Sequence, residues 1–217
     1  MKPDFKLLVF DWDGTLMDSE ARIVSCVRAA TQDMAIETPA DEQIRDIIGL
    51  GLKEALEKLF PGSDAPFKER FIDFYRHYFL HEDSTPSRLF PHVRDVLDYL
   101  ASQDYLLAVA TGKGRPGLNK VLQETGLAPR FHATRCADET FSKPHPEMLL
   151  QIMDELGVTP ADTLMIGDTE YDLQMAINAG THGLAVSYGV HTVDRLNQFN
   201  PLGCLDDISE LSDWLKQ

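Results

Sequence analysis

The feature that most restricts how this chain can fold is an alternation. Short apolar runs of strand length, at Lys6 to Phe10, Tyr105 to Ala110, Phe131 to Cys136, Thr163 to Ile166 and Gly183 to Ser187, are separated for the most part by stretches with helical spacing. Three of those stretches, Asn119 to Thr125, Pro146 to Leu156 and Tyr171 to Ala179, are each followed by a glycine where a helix C-cap is expected, at Gly126, Gly157 and Gly180. Strands alternating with helices imply right-handed crossovers, so the expected fold class is α/β, a parallel sheet with helices on both faces. One segment breaks the pattern. Helical spacing at Glu20 to Met34, Asp41 to Ile48, Lys53 to Phe60 and Pro66 to Phe79, with no strand among them, reads as an inserted all-helical domain over residues 17–88. The core is then residues 1–16 and 89–217.

Composition narrows what such a protein does. A chain of 217 residues can bury one good core with room for a second small lobe. With 20 basic against 35 acidic residues, net charge −15, it is unsuited to nucleic acid or to an anionic membrane surface, and an anionic substrate would need a local positive site. Cys26, Cys136 and Cys204 are odd in number, far apart and without metal-ligand spacing, as expected of reduced thiols in a cytoplasmic protein. The run Leu7 to Phe10 is too short for a signal-peptide core, and nothing later approaches the roughly 18 residues of a membrane span.

In an open parallel sheet, ligands bind at the carboxyl ends of the strands. Four strands here end in polar groups: Asp11 and Asp13 after the first, Thr111, Gly112 and Lys113 after the second, Ser142 and Lys143 after the third, Gly167 and Asp168 after the fourth. Any one of these has an ordinary reading, as a cap, a turn or a surface lysine. Their convergence on one crevice is what points to chemistry. Asp11, Asp13 and Asp168 would repel one another unless a cation sat among them, and an all-oxygen set suits a hard ion such as Mg²⁺. Asp172, four residues after Asp168 on the same helix face, can support that site directly or through water. Thr111 offers a hydroxyl, Gly112 lets a ligand approach the backbone N–H groups, and Lys143 neutralises charge. Together these describe a phosphate pocket.

The motifs "DWDGTL" at Asp11 to Leu16, "ATG" at Ala110 to Gly112, "SKPHPEML" at Ser142 to Leu149 and "IGDTEYDLQMAINAG" at Ile166 to Gly180 resemble those of the haloacid dehalogenase superfamily, and within it the phosphoglycolate phosphatase group. The resemblance implies a Rossmann-like core with a helical cap between the first two motifs. It also implies a Mg²⁺-dependent phosphatase acting on a small phosphorylated metabolite, as a monomer or homodimer. Asp11 would be the nucleophile and Asp13 the general acid and base. The metal would be held by the Asp11 side chain, the Asp13 backbone carbonyl and Asp168, with Asp172 steadying the metal shell or the lysine, while Thr111, Gly112 and Lys143 hold the phosphoryl group.

Members that cleave carbon–halogen or carbon–phosphorus bonds lack the aspartate at the place of Asp13, and β-phosphoglucomutase-like members carry a histidine in the hinge that reads "MDSEARIVSC" here. Hydrolysis is therefore expected, with a sugar-phosphate mutase or a non-catalytic binding protein on the same fold as alternatives. His92 stands where the family usually has glycine, which bears on loop shape alone. Lys53, in "GLGLKEAL", and Arg115 are further candidate contacts for a substrate anion, although Lys53 also reads as a solvated lysine at the start of a helix.

Overall fold

The computed structural model describes residues 4–217, so the first three positions of the expected core lie outside the described residues. Strand β1 (Leu7–Phe10) is buried on both sides. Leu8 and Phe10 enter the hydrophobic cluster on one face of the sheet, and Leu7 and Val9 the cluster on the other. A central strand with both faces covered has this unbroken apolar run because side chains alternate between two cores.

The chain then passes through β2 (Met17–Asp18) into helices α1 (Glu20–Asp33), α2 (Asp41–Asp46), α3 (Leu52–Leu59) and α4 (Ala65–His77), the last continuing as a π-helical turn over Tyr78–Glu82. Helix α4 begins where the Asp64 carboxylate accepts the Phe67 N–H at 2.9 Å, with a proline in the first turn where its missing N–H is not needed. Val24, Val27, Ile44, Leu56 and Phe71 pack into a cluster of their own, separate from the two cores of the sheet. The chain returns through β3 (Arg88–Leu89), antiparallel to β2, with Met17 opposite Leu89 and Asp18 opposite Arg88. This ribbon corrects the expectation that residues 17–88 hold no strand. Strands of two residues are too short to display the alternation by which a strand is read.

Beyond it come α5 (Val93–Ser102), β4 (Leu106–Thr111), α6 (Arg115–Thr125), β5 (Ala133–Cys136), α7 (Glu147–Leu156), β6 (Thr163–Gly167), α8 (Glu170–Ala179), β7 (His182–Val186), α9 (Val193–Asn197), β8 (Cys204–Leu205) and α10 (Leu211–Lys216). All six strands of the large sheet are parallel, in the order β5-β4-β1-β6-β7-β8. Strand β1 lies between β4 and β6, with Leu7 opposite both Leu106 and Thr163. The connections diverge to either side of β1, and that reversal opens a crevice at the carboxyl ends.

Helices α6, α7 and α8 end at Gly126, Gly157 and Gly180 with φ of 69°, 67° and 70°, the left-handed caps expected. Elements α5, α9, β8 and α10 lie outside the expected set. His92, before α5, has φ 65°, a conformation that glycine adopts freely and histidine only at a cost of about 1–2 kcal/mol. The turn thus keeps the shape that a glycine would give it.

Candidate active site

The crevice collects the ends of β1, β4 and β6 and the loop after β5. At the end of β1, Asp11 Oδ1 accepts the Trp12 N–H at 2.6 Å and lies 2.7 Å from the Lys143 ammonium. Its other oxygen, Oδ2, is buried with no hydrogen-bond partner among the described residues. After β6, Asp168 is held on both oxygens: Thr15 Oγ1 donates to Oδ1 and the Val190 N–H to Oδ2, each at 2.9 Å. Asp172 takes its place because it caps its own helix. Its Oδ2 accepts the Thr169 N–H at 3.1 Å and hydroxyl at 2.6 Å, leaving Oδ1 to accept from Lys143 at 2.6 Å. Lys143 is fully buried between Asp11 and Asp172. The loop is tight around Asp168. A Cβ on Gly14, which has φ +79°, would come within 2.1 Å of Asp168 Oδ2, and one on Gly189 within 2.2 Å of its Cβ. Only glycine fits at either place.

Oxygens of Asp11, Asp168 and Asp172 lie within 4.8 Å of one another, all three residues buried. Burial pushes the Asp11 carboxyl well up, and the neighbouring Asp172 and Asp168 add to this against the pull of Lys143. Burial likewise lifts Asp168 to about 7, again with Asp172 contributing. The Lys143 pKa is also raised on balance: burial alone lowers it, but Asp11 and Asp172 together raise it by more, so it stays charged. Three carboxyl groups face one ammonium, their mutual repulsion helping to raise the pKa of Asp11 and Asp168, and Asp11 Oδ2 is unpartnered among the described residues. That oxygen-only donor set fits a hard divalent cation.

Asp13 is not among those three. Its Oδ1 accepts from the Ser19 hydroxyl and lies 2.8 Å from the Lys113 ammonium. The Asp13 carboxylate thus pairs with Ser19 and Lys113, while Lys143 pairs with Asp11 and Asp172.

The sequence profile of the haloacid dehalogenase-like hydrolases matches residues 8–186. The chain belongs to this family. It is 37% identical over 219 residues to a protein of Dickeya dadantii named as probable phosphatase IndB, covering 97% of this chain and 92% of that one. A phosphoglycolate phosphatase of Vibrio parahaemolyticus is 30% identical over 220 residues, covering 96% and 95%. Among solved structures, a haloacid dehalogenase-like hydrolase from Bacteroides fragilis superposes with a TM-score of 0.89 at 26% identity, covering 95% of this chain and 99% of that chain.

In this haloacid dehalogenase-like hydrolase the helical segment lies directly on the crevice. A Cβ on Gly112 would come within 2.5 Å of the Gly49 and Leu50 carbonyl oxygens, so the space that glycine leaves open is filled by backbone of the helical segment. Ser142 Oγ accepts the Gly51 N–H at 2.7 Å. Thr111 is buried at the end of β4, and its Oγ1 accepts the Lys113 N–H at 3.2 Å. Further out, Arg195 pairs with Asp46 of α2 and Glu170 of α8, and the Tyr171 hydroxyl donates to the Asp46 carbonyl at 2.6 Å.

Two candidate anion contacts are not in the site. Arg115 is engaged by Glu139, at 2.8 and 2.6 Å, and by Thr134. Lys53 is exposed and does not line the cavity above the crevice. Lys113 and Ser19 are functional candidates that the motifs do not single out. Lys113 was legible as the residue after Thr111 and Gly112, whereas Ser19 carries no signal until the fold sets it beside Asp13.

Proposed function

We propose that this chain is a Mg²⁺-dependent phosphatase that hydrolyses a small-molecule phosphate monoester through an aspartyl-phosphate on Asp11. The observation that supports it best is the Asp11 carboxylate itself, with Oδ1 held by Lys143 and the Trp12 N–H and Oδ2 buried and free. A lone pair on Oδ2 attacks phosphorus in line with the leaving oxygen. The new bond is between Oδ2 and phosphorus, and the bond broken joins phosphorus to the alcohol oxygen. Asp13 gives its proton to that oxygen as it leaves. The same carboxylate then takes a proton from water, which attacks phosphorus, releases inorganic phosphate and restores Asp11. The Asp13 carboxylate lines the cavity, and its Oδ2 accepts no hydrogen bond among the described residues.

Asp11, the Asp13 carbonyl and Asp168 would hold the metal, which when bound offsets the repulsion between a carboxylate and a phosphate dianion. Lys143 opposes the rise that burial imposes on the Asp11 pKa and, with the Thr111 hydroxyl and backbone N–H groups of the Gly112 turn, receives phosphoryl oxygens. Residues 17–88 act as the cap that excludes water from the reacting group, over a core of residues 1–16 and 89–217. The enzyme works in the cytoplasm on a small phosphorylated metabolite, as a monomer or homodimer, without nucleic acid or membrane.

The test is phosphate release from a panel of esters, with Mg²⁺ and with a chelator, for the wild type and Asp11→Asn. Release should require the metal and fall by about 10³-fold or more in the variant. Undiminished release by Asp11→Asn would overturn the mechanism, and isomerised product without free phosphate would transfer the reading to a mutase.

A further inference from the structure

The cavity over the crevice runs from Asp13, Gly112 and Lys113 to the inner faces of α1, α3 and α4. Its wall is chiefly apolar, with Ile23, Val27, Leu50, Leu56 and Phe71 prominent. Its charged lining residues are Asp13, Lys113 and Arg76, and both cations are engaged. The Lys113 ammonium lies 2.8 Å from Asp13 and 4.4 Å from the centre of the Phe79 ring, and the Arg76 guanidinium lies 3.8 Å from Asp138. The remaining polar side chain is Tyr75, whose ring stacks on Phe79 at 6.1 Å and whose hydroxyl makes no hydrogen bond among the described residues. Burial raises the pKa of that phenol, so it remains a protonated donor at neutral pH.

We infer that the alcohol released by this enzyme is uncharged and largely apolar, seated against Ile23, Leu50, Leu56 and Phe71 and oriented by the Tyr75 hydroxyl. The inference rests on the phosphatase reading and narrows its substrate class. A hydroxy-acid leaving group would bring a carboxylate into an apolar space whose two cations already have partners, and an anion buried without a partner is strongly disfavoured. An apolar body loses nothing there and gains with each methylene removed from water. In this respect the chain parts from those relatives that are named phosphoglycolate phosphatases.

The experiment is kcat/KM with Mg²⁺ for straight-chain alkyl phosphates from methyl to butyl, for benzyl phosphate and for 2-phosphoglycolate. The alkyl esters have leaving groups of similar basicity, so differences among them report the cavity. Each added methylene should raise kcat/KM about fourfold, and benzyl phosphate should exceed 2-phosphoglycolate by about tenfold or more. Leu50→Lys, its folding checked by its thermal midpoint, should shift that ratio toward 2-phosphoglycolate by about tenfold. A flat response to chain length, or a wild-type preference for 2-phosphoglycolate, would overturn the inference and leave the phosphatase reading standing. No release from any ester would overturn the phosphatase reading and the inference with it.

Discussion

Gly112→Ala places a methyl group where the backbone of the helical segment now sits. The added Cβ would lie 2.5 Å from both the Gly49 and Leu50 carbonyl oxygens, against the 3.4 Å or more of ordinary contact, so the loop must retreat by about 0.9 Å. Neither partner is a flexible side-chain end, and the retreat carries Leu50 away from the cavity it lines. Gly112 is not in the left-handed region, so alanine adds no backbone strain and reduces the freedom of the unfolded chain, worth about 0.4–1 kcal/mol. Displacing two backbone carbonyls costs more than that gain returns, so stability should fall along with catalysis. A misplacement of about 1 Å costs roughly 10²-fold in rate, or about 2.7 kcal/mol of transition-state stabilisation. The assays are kcat/KM with Mg²⁺, the thermal midpoint, and hydrogen exchange at the Gly51 amide, which Ser142 Oγ holds at 2.7 Å. Loss of activity with faster exchange at Gly51 and a lowered midpoint is expected. Activity within twofold of wild type and unchanged exchange would refute the claim that this contact belongs to the working state.

Lys143→Met should destabilise the metal-free protein by about 3–5 kcal/mol in denaturant unfolding, because Asp11 and Asp172 are then buried without their cation. Mg²⁺ should raise the thermal midpoint of the wild type, by the equivalent of about 2.7 kcal/mol at a hundredfold excess over its dissociation constant, and chelation should reverse it; Asp168→Asn should lose most of the effect. Because Asp168 is lifted to about 7 in the fold, its ionisation opposes folding: this part of metal-free stability falls as pH rises from about 4 through 7, and the gain from Mg²⁺ grows over the same window. Arg195→Ala should cost about 1 kcal/mol near neutral pH, since its pairs with Asp46 and Glu170 are half exposed. A hydrogen bond from Arg195 holds Glu170 below its usual pKa; for Asp46 burial is the largest single influence and pushes up, but the bond from Arg195 together with the charges of Arg195, Lys58 and His191 outweighs it and the net shift is down. The contribution of the pairs is therefore full above about 4.5 and lost as pH falls through the folded-state values, where wild type and Arg195→Ala should converge.

Much of the fold is legible because its signals are local. The apolar run Leu7 to Phe10 reads as a buried strand, and Gly126, Gly157 and Gly180 stop their helices in the left-handed conformation that favours glycine. Helix α5 was equally open to reading, since Val93, Val96, Leu97 and Leu100 follow helical spacing and all four are buried. Strands β2, β3 and β8 were not, because two residues carry no period. Of the candidate site residues, Asp11, Asp168 and Asp172 stand at strand ends or in the first turn of a helix, where topology alone brings them together, while Lys143 comes from the loop between β5 and α7.

What the sequence determined by itself is the sheet, the caps and the convergence of the acidic residues, each written in spacing along a few consecutive positions. What only the tertiary structure decided is how the side chains share one another. Lys143 divides between Asp11 and Asp172, Asp13 turns toward Lys113 and Ser19, and Arg115 is taken up by Glu139 rather than left for a ligand. The opening beside Gly112 is filled by the Gly49 and Leu50 carbonyls. These outcomes depend on which of several nearby opposite charges and backbone groups lies within hydrogen-bond reach, and that is set by packing between segments far apart in the chain.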